Sequence, residues 1–231
     1  MKPHAKQFSL PLLKKEQIAR DTYSFYFDRT QTAFDFLAGQ YIRMTVPHTE
    51  PDDRGTSRFF TIASSPHEKN HLMITTKLFR SSFKETLHTL LLGTHVDFFG
   101  PMGTFFLDET DLTPRVFVSG GVGVTPFHSM IQYVVSKELS IPITLIVSFR
   151  KEDEIIFYNE LHALTKKQKN LHIIYTTEKI SQTFLEKHIS PLQENTYAIV
   201  GSPTFVAVTK ELISSLAVLE DKIFIEDFTG Y

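Results

Sequence analysis

Two short stretches of this 231-residue sequence combine residue types that could bind phosphates and aromatic rings. The first is Arg58-Phe59-Phe60-Thr61, in which Arg58 and Phe60 would share one face of a strand while Thr61 lies on the other. Arginine offers a forked donor for a phosphate, phenylalanine a flat apolar surface, and threonine a hydroxyl that can donate and accept. An arginine and a phenylalanine on a strand can equally form a salt bridge and a core contact, so this stretch alone leaves both interpretations open.

The second stretch is rich in glycine and runs Val118-Ser119-Gly120-Gly121-Val122-Gly123-Val124-Thr125-Pro126. It follows an apolar run and precedes a helical pattern, which would place its backbone amides at the start of a helix. Such amides, together with the positive end of the helix, can hold a pyrophosphate. The spacing does not match the G-x-G-x-x-G fingerprint, so the stretch indicates a nucleotide without specifying which one.

The composition excludes several classes of protein. The sequence has 24 Lys and Arg against 26 Asp and Glu, a net charge of −2, which argues against a nucleic-acid or anionic-membrane binder. It has no cysteine, which excludes disulfides, cysteine nucleophiles, thiolate zinc sites and cysteine-ligated iron–sulfur clusters. No pair of histidines four residues apart comes with a carboxylate suited to zinc, so we expect no metal site.

The sequence shows no sign of a membrane span or a secretory leader. Its longest uncharged stretch, Val116 to Ser136, contains three glycines and a proline, which is typical of strand, loop and helix. No apolar segment directly follows the lysines of the first seven residues. We therefore expect a cytoplasmic protein.

The two halves of the chain differ in their apolar period. Residues 1–107 predict an antiparallel β domain with a single helix that starts at Ser81 or Ser82 and ends at Leu92. Its expected strands are Thr22–Asp28, Gln40–Val46, Phe59–Ala63, Leu72–Phe79 and His95–Phe99.

A polar segment, residues 108–114, ends in proline and reads as a linker to an α/β domain over residues 115–231. Five apolar runs there alternate with helical patterns, which predicts a five-stranded parallel sheet with right-handed crossovers. The expected strands are Val116–Ser119, Ile143–Phe149, Leu171–Thr176, Tyr197–Val200 and Lys222–Ile225. The expected helices are Pro126–Lys137, Phe157–Lys167, Gln182–His188 and Phe205–Leu216.

Five motifs in order along the chain resemble those of the ferredoxin–NADP⁺ reductase superfamily. They are the R-x-Y-[ST]-like Arg58-Phe59-Phe60-Thr61 with Ala63-Ser64-Ser65-Pro66, then Gly100-Pro101-Met102-Gly103-Thr104-Phe105, the loop from Gly120 to Pro126, Gly201-Ser202-Pro203, and the terminal Glu226-Asp227-Phe228-Thr229-Gly230-Tyr231. The resemblance implies a flavin-binding β-barrel followed by a nucleotide-binding domain. It also implies a flavoprotein oxidoreductase of electron transport that uses FAD, with FMN as the less usual flavin.

The resemblance also implies roles for individual residues. Thr61 would hydrogen-bond flavin N5, and Glu226 would assist proton or electron traffic. Flavin-binding residues would be Arg58 on the phosphate, Phe60 on the isoalloxazine, and Phe59, Thr61, Thr75, Thr76, Lys77, Ser81, Ser82 and Phe83 around them. Residues at the nucleotide and the ring face would be Gly121, Val122, Gly123, Thr125, Gly201, Ser202, Pro203, Phe228 and Tyr231. Hydride transfer needs nicotinamide C4 about 3–3.5 Å from flavin N5.

Three departures from the family pattern bear on these roles. Phe60 stands where the family has Tyr, Arg80-Ser81-Ser82 replaces a glycine-containing helix start, and no cysteine precedes Pro203. They keep two alternatives open, which are an NAD(P)H:flavin reductase that uses free flavin and a non-catalytic subunit that has kept the fold.

The residues also predict a nucleotide preference and a kind of partner. In relatives that prefer NADPH, a Ser-Arg pair grips the 2′-phosphate where this chain has Tyr175-Thr176-Thr177-Glu178-Lys179, and a carboxylate at Glu178 would favour NADH. Arg150, after the second strand of the α/β half, could instead reach a 2′-phosphate. Because the chain has no cysteine, any iron–sulfur centre would belong to a partner, and the expected acceptor is a ferredoxin, a cytochrome or an oxygenase component.

Overall fold

The computed structural model describes residues 3–47, 51–78 and 81–228 and contains two sheets. The N-terminal sheet has six antiparallel strands and the C-terminal sheet five parallel ones, which confirms the predicted fold class. By its contacts, the chain divides into a first unit of residues 1–107 with 128–133, and a second unit of residues 108–127 with 134–231.

The first unit has strands in the order β4-β3-β6-β1-β2-β5 and one helix. Their bounds are β1 Lys6–Ala19, β2 Thr22–Asp28, β3 Tyr41–Thr45, β4 Ser57–Thr61, β5 His71–Lys77, α1 Ser82–Thr89 and β6 His95–Met102. The two outer strands of this sheet are linked just beyond β4, where the Ala63 amide donates to the Met73 carbonyl at 2.8 Å.

Phenylalanine dominates the core of the first unit. Phe25, Phe27, Phe34 and Phe98 are almost fully buried, and the Phe27 and Phe98 rings meet edge to face at 5.0 Å. Aromatic side chains bury a large apolar area each, which explains how a six-stranded sheet encloses a stable core.

The sequence-based reading missed β1, a strand of 14 residues. Leu10 and Leu12 alternate inward on it, but Pro11 lies between them and a charged run begins at Lys14. Pro11 is the last residue of β1 that pairs with β6, and a register shift between Leu12 and Lys14 follows it in the pairing with β2.

The helix α1 is three residues shorter than predicted. Its final backbone bond runs from the Leu90 amide to Thr86, and Leu90 then leaves the helix with extended ψ. Leu91 and Leu92 are largely exposed, so no core contact favours another helical turn. The predicted extension of β5 to Phe79 lies outside the described residues.

The second unit is a parallel sheet in the order β11-β10-β7-β8-β9, with helices on both faces. Its elements are β7 Arg115–Gly120, α2 Thr125–Ser136, β8 Ile143–Ser148, α3 Tyr158–Thr165, β9 Leu171–Thr176, α4 Gln182–His188, β10 Thr196–Gly201, α5 Pro203–Ser215 and β11 Ile223–Asp227. Leu185 of α4 and Val206 and Ile213 of α5 pack on one face. On the other face, the rings of Phe117 and Phe127 stack at 4.4 Å.

Parallel pairing brings the carboxyl ends of these strands to one edge of the sheet. Gly120, Ser148 and Thr176 lie in register across β7, β8 and β9, and Gly201 ends β10. Ligands of open α/β sheets bind outside this edge. The glycine-rich stretch of the sequence therefore lies where a nucleotide would bind.

Candidate functional site

Arg58 lies in β4 and is held by the loop that precedes the strand. Its Nη1 donates to the carbonyls of Arg54, Gly55 and Ser57 at 2.7–2.9 Å, and its Nη2 donates to Asp52 Oδ1 at 2.9 Å. The guanidinium carbon also lies 5.1 Å from the ring centre of Phe83. Arg58 is thus fixed in position, with Asp52 as its anionic partner.

The start of α1 lies beside this arginine. Ser82 Oγ accepts a hydrogen bond from the Asp52 amide at 3.0 Å, which joins the helix to the same loop. Ser81 is the residue before the first helical turn, but its side chain makes no capping bond. Its Oγ is buried and has no hydrogen-bond partner among the described residues, so it is available to a ligand.

A third basic residue lies in the first turn of α1. Lys84 is only 9% exposed, and burial together with the positive charges of Arg54 and Arg58 lowers its pKa to about 8. Lys84 and Asp52 belong to no motif, so neither could be singled out from the sequence. Three cations beside an unpartnered hydroxyl suit an anionic ligand such as a phosphate.

The two phenylalanines of the motif have opposite surroundings. Phe60 is 5% exposed and stacks on Phe83, with ring centres 5.9 Å apart. Phe59 is 62% exposed and meets Tyr41 edge to face at 5.8 Å. Phe60 and Phe83 thus contribute to the core, and their assignment to the isoalloxazine stays a prediction.

Buried hydroxyls surround the end of β4 and the facing part of β5. Thr61, Thr75 and Thr76 are at most 8% exposed, and Thr75 Oγ1 exchanges a hydrogen bond with Ser24 Oγ at 2.8 Å. Lys77 ends β5 and is half-buried. This polar lining inside an otherwise apolar unit would suit the polar edge of a bound ring.

The segment after β4 is anchored by side chains from α2 that belong to the first unit. His128 Nδ1 lies 2.8 Å from the Ala63 carbonyl, and Ser129 Oγ donates to the Ser64 carbonyl at 2.7 Å. His128 and Ser129 are fully buried. The sequence assigns no role to the histidines and offers no reason to connect α2 with residues 63–65.

The glycine-rich loop forms a short 3-10 helix, Gly121–Val124, that leads directly into α2. Gly121 has a φ of +55°, and a Cβ there would meet open space. A Cβ on Gly123 would lie 2.5 Å from the carbonyl oxygen of Val200, so only glycine allows this close approach of the loop to β10. Thr125 is buried, and its Oγ1 donates to the Val122 carbonyl at 2.9 Å.

The motif Gly201-Ser202-Pro203 forms the start of α5. Ser202 Oγ accepts from the Phe205 amide at 3.3 Å, and Pro203 occupies the first helical position. The Gly201 carbonyl accepts from the Phe228 amide at 2.9 Å, which holds the residue after β11 beside β10. Phe228 is half-buried, and Tyr231 lies outside the described residues.

Glu226 is a half-buried acid on β11. Burial, assisted by the neighbouring charge of Asp227, raises the pKa of its carboxyl to about 7. Its Oε2 has no hydrogen-bond partner in the described part of the chain. A carboxyl in this state can hold or release a proton near neutral pH.

Glu226 belongs to a row of residues that crosses the sheet in register. The row is Glu226, Val200, Ser119, Val147 and Tyr175. In-register neighbours point to the same face of a sheet, and each polar member of this row has a buried oxygen without a partner among the described residues. The unsatisfied oxygens therefore line up one residue before the carboxyl edge.

The nucleotide-selecting residues predicted from the sequence follow β8 and β9. Ser148 and Thr176 are in register at the carboxyl ends of their strands. Arg150 follows Ser148 by two residues, and Glu178 follows Thr176 by two residues. The Glu178 amide donates to Thr176 Oγ1 at 3.0 Å, and both Arg150 and Glu178 are exposed. Both side chains therefore lie on the surface, near the carboxyl edge of the second sheet, where a ribose would bind.

The described residues, 3–47, 51–78 and 81–228, contain neither a candidate membrane span nor a candidate metal cluster. No helix in these ranges is long and apolar enough to cross a membrane. No group of three or more histidine, aspartate or glutamate side chains in the same ranges could hold a metal ion.

Comparison with known proteins matches each half of the chain to a domain family. Residues 9–107 match the oxidoreductase FAD-binding domain, and residues 117–211 match the oxidoreductase NAD-binding domain. The geometry fits these assignments. Arg54, Arg58 and Lys84, with the unpartnered Ser81 hydroxyl, suit a phosphorylated flavin, and the glycine-rich loop at the carboxyl edge of the second sheet suits a nucleotide.

The curated relatives include several reductases. Methane monooxygenase component C of Methylosinus trichosporium is 30% identical over 142 residues, which cover 61% of this chain and 40% of that protein. Ferredoxin–NADP reductase B of Sorangium cellulosum is 25% identical over 207 residues, which cover 86% of this chain and 84% of that protein. The chain spans only 40–58% of the length of the first four curated relatives it matches.

Solved structures share the fold at low sequence identity. A cytochrome P450 reductase from Amycolatopsis superimposes with a TM-score of 0.85 at 18% identity, and the match covers 99% of this chain and 72% of that one. This likeness bears on the fold, while the matched families identify the two cofactor-binding domains.

Proposed function

The chain belongs to the ferredoxin–NADP⁺ reductase family of FAD- and NAD-binding oxidoreductases, and we propose that it oxidises NAD(P)H and delivers the electrons to a separate acceptor protein. Bound FAD supplies the ability to accept a hydride and to release electrons one at a time. The chain's own residues would bind the two nucleotides, orient them and exclude water.

One observation carries this proposal. Among the described residues, five side-chain atoms are buried without a hydrogen-bond partner, and four of them belong to the residue before α1 or to the row one residue before the carboxyl ends of the second sheet's strands. Ser81 marks the start of α1, while Ser119, Tyr175 and Glu226 form the row below the carboxyl edge of the second sheet. Unsatisfied buried oxygens are costly, so their concentration at these places indicates ligands that satisfy them.

In the first unit we assign Arg58, Ser81 and Ser82 to the flavin phosphates, with Phe59, Phe60 and Phe83 beside the ring. Thr61, Thr75, Thr76 and Lys77 would meet its polar edge. In the second unit, the loop Gly121-Val122-Gly123 with Thr125 would hold the nicotinamide nucleotide, together with Gly201, Ser202 and Pro203. Glu226 would hold a proton, and Phe228 and Tyr231 would cover the flavin.

The acceptor we propose is a one-electron carrier of an oxygenase system. The relatives support this choice through their names, which refer to a methane monooxygenase component and a ferredoxin reductase. A ferredoxin, a cytochrome or an oxygenase component would each serve as the acceptor.

We further propose that NADH is the preferred nucleotide. Glu178 lies two residues beyond the in-register pair Ser148 and Thr176, at the edge where a ribose 2′ position would lie. A carboxylate can accept hydrogen bonds from ribose hydroxyls but repels a 2′-phosphate.

The experiment is purification followed by spectra and assays with both nucleotides. We expect a yellow protein whose FAD survives gel filtration, is reduced by NADH, and passes electrons to ferredoxin or cytochrome faster than to free flavin. A colourless protein without flavin binding, and without nucleotide oxidation when flavin is added, would overturn the proposal in favour of a non-catalytic subunit.

A second function, NAD(P)H:flavin reductase with free flavin as substrate, is favoured by one observation. Asp52 and the loop carbonyls accept hydrogen bonds from Arg58, and Phe60 is 5% exposed, which leaves these two side chains less to offer a flavin that stays bound. A colourless protein that reduces added flavin with NADH would select this function.

A further inference from the structure

We propose that the outer edge of β11 binds a second copy of this chain, with the two β11 strands paired antiparallel about a twofold axis at Phe224. The pairing would join two five-stranded sheets into one continuous sheet. Such a dimer is an assembly of the second unit, and it depends on neither the electron acceptor nor the nucleotide preference proposed above.

β11 lies at one end of the second sheet and exposes apolar side chains on both of its faces. Among the described residues, no strand pairs with its outer edge. Phe224 is 53% exposed and Ile225 is 48% exposed, and consecutive residues of a strand point to opposite faces. At the other end of the sheet, the apolar residues of β9 are buried or half-buried. Exposed apolar end strands favour pairing with another chain, so β11 is the edge at which such pairing is expected.

The backbone groups at this edge belong to Ile223 and Ile225. The Phe228 amide donates to the Gly201 carbonyl, so Phe228 directs its backbone groups toward β10. Because these groups alternate in direction along a strand, those of Ile223 and Ile225 face outward. The Ile223 amide already donates to the Glu220 carbonyl, which leaves the Ile223 carbonyl and both groups of Ile225 for a second strand.

Twofold symmetry restricts how two such edges can pair. An axis perpendicular to the sheet keeps each face of one copy continuous with the same face of its partner, so opposed residues must point to the same face. With Phe224 on the axis, its ring would pack against its own counterpart, and Ile225 would lie opposite the partner's Ile223. The Ile225 amide could then donate to the partner's Ile223 carbonyl, and the axis repeats this bond. This register therefore pairs apolar residues on both faces.

Charge supports the same register. Lys222, the last residue before β11, would lie opposite the partner's Glu226, and the axis repeats the pair. Lys222 Nζ donates to the Gln193 carbonyl, a neutral acceptor, and Glu226 Oε2 is buried without a partner among the described residues. Cross-strand pairs of opposite charge stabilise a sheet. The second copy would thus place a cation beside the acid that holds a proton in the proposed function.

The neighbouring registers lack this complementarity. With Ile225 on the axis, Ile223 would face the partner's Asp227, so an apolar side chain would meet an acid. With Ile223 on the axis, Glu226 would face the partner's Glu220, and like charges directly opposite each other are destabilising. The residues around β11 therefore favour one register and one occupant of this edge, a second copy of the chain.

The test uses the absence of cysteine from this chain. Phe224→Cys would bring two thiols together across the axis, where the Cα atoms of a non-hydrogen-bonded pair lie about 4.5 Å apart, which suits a disulfide. Ile225→Cys would place its two Cα atoms roughly 7–8 Å apart, which is too far. The matched control is His172→Cys, at an exposed residue of β9, the opposite end strand.

We expect the wild-type chain to show twice the mass of one chain by light scattering at micromolar concentrations. With a mild oxidant, Phe224→Cys should form a disulfide-linked dimer roughly 10-fold faster than Ile225→Cys or His172→Cys. Phe224→Glu, which opposes two carboxylates on the axis, should raise the dissociation constant of the dimer roughly 10-fold or more, and His172→Glu should leave it unchanged.

Several results would overturn this dimer. They are a chain that stays monomeric up to the highest concentration measured, a dimer that Phe224→Glu leaves intact, and cross-linking of Phe224→Cys no faster than that of His172→Cys. Faster cross-linking of Ile225→Cys would indicate another register and would overturn it as well. If Phe224→Glu does not fold, the cross-linking comparison still decides, because Phe224→Cys keeps an uncharged side chain.

Discussion

The two candidate phosphate sites of this chain are built in different ways. The site at α1 uses charged side chains, with Arg58 bonded to Asp52 and Lys84 buried beside them. The loop before α2 uses backbone, since residues 120–126 include no charged side chain and Gly123 lies against the Val200 carbonyl. The site at α1 thus depends on charged side chains, and the loop before α2 depends on the close approach of its backbone to β10.

This difference matches the proposed roles of the two ligands. Charge-assisted hydrogen bonds are about twice as strong as neutral ones, which suits a cofactor that must stay bound. A loop of glycine amides fixes geometry with less attraction, which suits a substrate that must leave after each turnover. The predictions below test this contrast, beginning with the largest expected effect.

The first prediction concerns the loop made of backbone. Gly123→Ala should abolish NAD(P)H oxidation and lower the stability of the second unit by about 1–3 kcal/mol, because the new Cβ would overlap β10. The flavin Kd should not change. Stopped-flow reduction and thermal melting would measure both effects.

Gly121→Ala is the control for this substitution. Its φ of +55° is unfavourable for alanine by about 1–2 kcal/mol, but its Cβ would meet open space. If Gly121→Ala impairs nucleotide binding as much as Gly123→Ala, close approach to β10 is not the reason for the glycine.

The second prediction uses the acid near the loop. The pKa of Glu226 is raised from 4.5 to about 7, so the folded state favours the protonated form. Its contribution to stability is fully present below pH 4.5 and is lost as the pH rises through 7. Relative to Glu226→Gln, wild type should lose about 3 kcal/mol of unfolding free energy between pH 4.5 and 8.

Urea unfolding of both proteins at several pH values measures this difference. Asp227→Asn is the neighbouring control and should retain most of the pH dependence, because burial is the main cause of the raised pKa. Parallel stability curves for wild type and Glu226→Gln would contradict the assignment.

The third prediction tests the charged site. Arg58→Ala should weaken FAD binding by about 1.5–3 kcal/mol, which is roughly a 10- to 150-fold increase in Kd. Arg43→Ala is the matched control, since Arg43 lies on the adjacent strand β3 and contacts Phe99. An unchanged flavin Kd in Arg58→Ala would remove the phosphate role from this arginine.

The smallest expected effect concerns nucleotide choice. Glu178→Arg should shift the ratio of kcat/KM for NADPH over NADH upward by roughly 5-fold, as for one exposed charge contact of about 1 kcal/mol. Glu211→Arg on α5 changes the same charge elsewhere in the second unit. The preference is refuted if wild type favours NADPH or if both variants shift the ratio equally.

Much of the fold could be predicted because each element follows a local rule. β2, β9 and α4 have the bounds that their apolar periods predict. The strand β1 could not be predicted in the same way, since Pro11 and the charged run from Lys14 hide an alternation that exists only on its buried half.

The residues of the candidate sites also differ in whether a local sequence pattern reveals them. Arg58 and the glycines belong to contiguous motifs and could be found in the sequence. Asp52, Lys84 and His128 could not, because Asp52 meets Ser82 and His128 meets Ala63 only in the folded chain, and Lys84 acquires its role from burial. The role of a single charged residue or histidine depends on its tertiary contacts, which the spacing of residues in the sequence does not reveal.

The pairing of β1 also has a consequence for how the first unit forms during synthesis. β1 pairs with β2 within a few residues, but its first half pairs with β6, where Lys6 lies opposite Gly100. The hairpin of β1 and β2 can form early, whereas the sheet cannot be completed until β6, which pairs Gly100 with Lys6, has also left the ribosome. Contacts of such long sequence separation slow folding, and an unpaired strand half invites wrong partners. The N-terminal half of β1 is therefore the segment of this unit that most needs protection while the chain is being made.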